Sequence, residues 1–157
     1  MPVAEVASVV VTNQGLKDLW TDATQASGGA AGSWKLATVG LYKANIPNPT
    51  MNTVLADLQE VLVGDWAEYL QIATTGWGAV ETRVDGSIIS VATPLLSWTG
   101  PAAGGGPTVY GAFILSPLAG THLLAIMPFT APVGMTDNTK VLSLDLPQVL
   151  SGGPWVV

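Results

Sequence analysis

The stretch SWTGPAAGGGPTVYG, residues 97–111, is the strongest candidate for chemistry, with five glycines in fifteen positions. A glycine loop holds phosphate when its N–H groups converge, a helix begins behind it and a lysine meets the charge. Here no Lys or Arg lies between Arg83 and Lys140, and Pro101 and Pro107 each lack a donor. The run that follows, TVYGAFIL, is strand-forming, and neither GxxxxGK[ST] nor GxGxxG occurs. The glycines therefore read as a loop between strands, with Pro107 at a place where a neighbouring subunit can approach the backbone.

His122 is the only histidine and cannot chelate a metal alone. Ser87, Ser97 and Ser116 could serve a Ser-His-Asp arrangement, but none sits in a GxSxG elbow. The pairs Asp57 with Glu60 and Asp65 with Glu68 lack the dense alternation of a calcium loop and read as caps or solvated faces. Cysteine is absent, which removes disulfides and thiolate sites. No enzyme, cofactor or metal is expected.

Six tryptophans remain. Trp20, Trp34 and Trp98 lie in apolar periodic segments and read as core anchors. Trp66 and Trp77 are the ones left to stack on a sugar, which keeps a carbohydrate-binding module as an alternative. Trp155 belongs to the apolar tail SGGPWVV.

Charged residues make up 10% of the chain, against about 25% in an ordinary soluble domain. Its surface must be built from Thr, Ser, Asn, Gly, Pro and apolar groups, which suits faces covered by other subunits. Five basic residues against eleven acidic ones, with no basic cluster, exclude nucleic acid as a partner. No apolar run is long enough for a membrane span, and no Lys or Arg precedes Lys17 as a signal peptide requires. The chain is expected to be made and kept inside a cell.

The elements that would position these residues fit one domain over residues 1–157. Residues 3–11 read as a strand or extended arm, and Leu16, Leu19, Trp20 and Ala23 recur at helical spacing. A helix over Gln14–Gln25 with Asn13 as its cap follows. SGGAAGS is a loop, WKLATVGLY a strand ending near Tyr42, and TVLADLQEVL a short helix that Thr53 can cap. WAEYLQIAT, SIISVAT, PLLSWT, TVYGAFIL, HLLAIMPF and KVLSLDL are short and β-prone, with a hairpin turn at SPLAG. The expected fold is mainly β: an antiparallel, jelly-roll-like β-sandwich with one or two short helices in the N-terminal third. Residues 1–12 would form an N-terminal arm or strand and residues 151–157 an apolar tail. Val9, Val10, Val11, Pro107, Pro154, Trp155, Val156 and Val157 are the candidate interface residues.

The segment order LYKANIPNPT, TVLADLQEV, WAEYLQIATTGWG, TVYGAFILSPLAGTHLLAIMPFTAPVGM and KVLSLDLPQVL resembles small virion proteins of tailed bacteriophages. It is most similar to their capsid decoration, or cement, proteins, over about residues 13–150. The resemblance implies a non-enzymatic homotrimer, made in the host cytoplasm, that binds major capsid protein at capsomer junctions on the virion surface. A tail, neck or fibre component of the virion is the nearest alternative.

Overall fold

Apolar runs bounded by Pro, Gly and Asp set the strands, and strand pairing sets the core. The computed structural model describes residues 3–24, 37–74, 80–82, 88–90, 95–116, 122–146 and 155–156. In chain order the elements are β1 (Val9–Val11), α1 (Asn13–Thr24), β2 (Thr38–Tyr42), α2 (Leu55–Leu58), β3 (Ile72–Ala73) and β4 (Val80–Thr82). They continue with β5 (Ile88–Ser90), β6 (Leu96–Thr99), β7 (Thr108–Leu115), β8 (Leu123–Gly134), β9 (Val141–Leu144) and β10 (Trp155–Val156). The fold is mainly β, paired antiparallel, with two short helices. One sheet runs in the order β10-β1-β8-β7-β2-β3, while β4 pairs with β5 and β6 with β9. Only the β1–β10 pair among these strands is parallel.

Alternation along β7 and β8 divides their side chains between two clusters. Val109, Ala112, Ile114, Leu124 and Met127 enter one; Phe113, Leu115, Leu123 and Ile126 enter the other. Both faces of this part of the sheet are therefore buried, which explains why β8 reads as a continuous apolar run. Leu96, Trp98, Leu142 and Leu144 of the β6–β9 pair join the first cluster, giving a sandwich-like second layer of strands. Leu58 of α2, with Ile46 and Leu55, covers the opposite face. Pro128 lies opposite Gly111, where the β7–β8 register shifts, so its missing N–H falls at an irregularity in the ladder.

The first helix starts one residue earlier than its spacing predicts, with Thr12 and not Asn13 as its cap. The Thr12 hydroxyl accepts the Gly15 N–H at 2.9 Å and donates to the Leu123 carbonyl, tying the helix start to β8. Asn13 instead donates to the Asn52 side chain at 2.6 Å. Gly15 lies so close to the Leu124 carbonyl that a Cβ would collide with it. Its side-chain-free backbone lets the helix pack directly on the strand.

Two other expectations change. The TVLADLQEVL helix stops at Leu58 because Gln59 is left-handed, with φ 52°. The chain then turns, and Val61 N–H donates to the Leu41 carbonyl at 2.9 Å. The WAEYLQIAT strand is mostly turn. The Leu62 carbonyl accepts N–H groups from Asp65 and Trp66 at 2.9 and 3.1 Å, and the Asp65 carboxylate accepts the Leu62 N–H at 2.9 Å. Trp66 and Tyr69 consequently both turn inward, their ring centres 5.7 Å apart.

The N-terminal segment belongs to the domain. Val3 bridges Ser143 of β9, Val6 bridges Phe129 of β8, and β1 then lies between β8 and β10. Residues 3–11 thus stitch the smaller strand layer to the larger. Trp155 and Val156 complete this end of the sheet by pairing with Val9 and Val10.

Two buried tyrosines make opposite predictions. The Tyr42 hydroxyl has no hydrogen-bond partner among the described residues, whereas the Tyr69 hydroxyl accepts the Leu41 N–H at 2.8 Å. In urea unfolding, Tyr42→Phe should be neutral or stabilising. Tyr69→Phe should cost roughly 1–3 kcal/mol by leaving a buried N–H unpaired. Equal effects of the two substitutions contradict this assignment.

Candidate functional site

The glycine loop is filled by its own chain. Gly100 N–H donates to the Lys140 carbonyl at 2.9 Å, Gly104 N–H to Pro101 at 3.1 Å, and Gly105 N–H to Thr136 at 2.8 Å. A Cβ on Gly100 would strike the Asp137 carbonyl, and one on Gly106 the Met135 carbonyl. Gly104 and Gly105 have φ 76° and 75°, a conformation that favours glycine. The glycines therefore admit segment 135–140 close to the loop, and the N–H groups of Gly100, Gly104 and Gly105 are already occupied. Pro107 is half-buried here, its carbonyl accepting the Met135 N–H at 3.0 Å.

His122 is held by α1. Its Nδ1 lies 2.9 Å from the Asp18 carboxylate, which also accepts Gln14 Nε2 at 2.7 Å and a hydrogen bond from Ser116. The Asp18 side chain is 6% exposed and that of His122 38%. Burial pulls the Asp18 carboxyl upward, but its bonds to His122, Gln14 and Ser116 outweigh this and hold it below the ordinary carboxylate value. In a nucleophilic triad the imidazole stands between hydroxyl and carboxylate. Here the carboxylate stands between Ser116 and His122, an order that binds α1 to the β7–β8 end of the sheet. Ser97 lies 3.4 Å from Ser143, and Ser87 falls outside the described residues. His122, Asn13 and Asn52 also edge a cleft of about 390 Å³.

The expected interface residues divide. Val9, Val10 and Val11 are 0%, 2% and 3% exposed, because β1 is an inner strand of the sheet. Of the two readings of this segment, strand or extended arm, residues 9–11 form the strand, and their side chains pack in the chain's own core. The backbone of Trp155 and Val156 forms β10 at the sheet edge, and Pro154 and Val157 lie outside the described residues. Trp98 is in the core as expected, 4% exposed. Trp66 is 2% exposed and presents no sugar-stacking face, while Trp34 and Trp77 fall outside the described residues.

The surface that sequence reasoning missed lies between α2 and β3. Leu62, Val63 and Leu70 are 59%, 62% and 72% exposed, and with Glu60, Tyr69 and Gln71 they line an open groove of about 390 Å³. Backbone bonds hold two of the three: Leu62 is bonded through both N–H and carbonyl, and the Leu70 carbonyl accepts Trp98 Nε1 at 2.9 Å from the core. The signal for this turn was Gly64-Asp65, a turn former followed by a carboxylate able to cap.

Compared with known protein families, curated proteins and solved structures, the chain matches none of them.

The Asp18 assignment is testable by pH. Because its folded-state pKa is lowered, its contribution is complete above the ordinary carboxylate value and is lost as pH falls through the lowered one. Thermal unfolding of Asp18→Asn should be weaker by roughly 1–3 kcal/mol near neutrality and should lose part of the acid dependence below about pH 4. An unchanged acid profile contradicts the staple.

Proposed function

We propose that this chain is a structural protein of a tailed-phage virion, a decoration protein that binds major capsid protein at capsomer junctions and acts as a homo-oligomer, a trimer. One observation carries the interaction role: Leu62, Val63 and Leu70 are exposed together, Leu62 and Leu70 on hydrogen-bonded backbone, in a chain with only 10% charged residues. Apolar side chains presented rigidly lose little entropy when a partner covers them. The resemblance of segment order to phage decoration proteins supplies the kind of partner. The Asp18–His122 contact and the glycine loop serve the domain's own packing, which agrees with a non-enzymatic part.

Mixing the purified chain with undecorated shells of the phage that encodes it tests the proposal. Co-sedimentation should saturate at a copy number set by shell symmetry. Absence of shell binding, with labelled protein found on tails, overturns the decoration role in favour of a tail, neck or fibre component.

A further inference from the structure

The groove between residues 60–63 and 69–71 has a chemical character that selects its occupant. Its walls are the exposed side chains of Leu62, Val63 and Leu70, and its polar group is Glu60. Gln71 Nε2 donates to Glu60 Oε1 at 2.5 Å and the Tyr69 hydroxyl lies 3.5 Å from the same oxygen. Neither contact neutralises the carboxylate, and Glu60 makes no ion pair among the described residues. The nearby Lys43 is engaged elsewhere, 2.6 Å from Asp65.

The groove also leads into a sheet edge. β3 is the last strand of the large sheet, and Thr74 N–H points inward to the Ala37 carbonyl at 2.8 Å. The alternation of a strand then turns the N–H and carbonyl of Ala73 outward. An extended segment lying along Leu70 and Ala73 would meet apolar side chains first and then the backbone groups of Ala73, which have no partner among the described residues.

A second copy of the chain is a poor occupant. In a two-fold or a ring contact alike, it would set a chain that carries −6, with only five basic residues, against the Glu60 wall of another such chain. We propose that the groove binds an extended, apolar segment bearing a lysine or arginine, supplied by a different protein. Its apolar residues cover Leu62, Val63 and Leu70, and its cation meets Glu60. This inference rests on the reading of Leu62, Val63 and Leu70 as the interaction surface and deepens it by naming the chemistry of the occupant.

The test is an amide-resolved NMR titration of the full chain with a synthetic peptide of alternating valine and lysine. A peptide of alternating valine and glutamate serves as control. Saturable shifts should concentrate between residues 60 and 73. The double variant Leu62→Ser with Leu70→Ser should bind about tenfold more weakly or worse. Glu60→Gln should bind about threefold more weakly. All three positions sit on the groove surface, and a variant whose spectrum departs from the parent away from the groove is replaced by Val63→Ser, with the same expected direction. Shifts spread over the whole surface, unchanged affinity in the variants, or equal binding of the glutamate peptide overturns the proposal. The peptide result and the shell assay can each fail without the other.

Discussion

Ala125 and Ile126 of β8 are paired on both sides, to β7 and to β1, and most other features attach to the stretch 123–127 around them. Ordering each residue's backbone costs about 1–2 kcal/mol, so a strand must gain ladder bonds and burial together. Leu124, Ala125, Ile126 and Met127 are all 0% exposed, and burial of a Leu, Ile or Met side chain contributes about 1.5–3 kcal/mol. The same stretch anchors α1: Thr12 bonds the Leu123 carbonyl, Gly15 packs on Leu124, and Asp18 holds His122 just before the strand. Further along β8, Val6 bridges Phe129, and Val3 reaches Ser143 to join the smaller strand layer. The segment read as a strand or extended arm is therefore structural, because without it one side of β8 loses its partner.

That organisation separates the polar groups from the outward-facing surface. The histidine, its carboxylate and the glycine loop each satisfy an internal demand: helix docking in one case, close approach of backbone in the other. The most exposed large apolar side chains among the described residues are Leu62, Val63 and Leu70, which share one groove. A low charge content is compatible with solubility and with interaction together only when such apolar groups are few and localised.

Much of the β architecture was legible because its determinants are local. TVYGAFIL and HLLAIMPF are bounded by Pro, Gly and His, and both lie in strands as read. The first is bounded as read; the second continues through Pro128 to Gly134, where the register irregularity accommodates the proline. The phosphate question could also be decided locally, from missing basic residues and two prolines. The neighbour of the glycines could not, since the Met135 and Asp137 carbonyls are brought there by tertiary folding. Residues 53–74 misled for a different reason. Val54, Leu55, Leu58, Val61 and Leu62 fit a helical face, yet one left-handed residue, Gln59, and one capping carboxylate, Asp65, redirect the chain. Apolar residues that periodicity assigns to a core then face outward. Pairing of Val9 with Trp155 joins opposite ends of the sequence and has no local signature at all.

Native-state hydrogen exchange tests the place of the N-terminal segment most directly. If β1 is an inner strand, the ladder amides of Val9–Val11 are protected to the same level as those of Phe113 and Ile126 and open only with global unfolding. Exchange of residues 9–11 at the rate of a frayed terminus, with β7 and β8 still protected, would contradict the account.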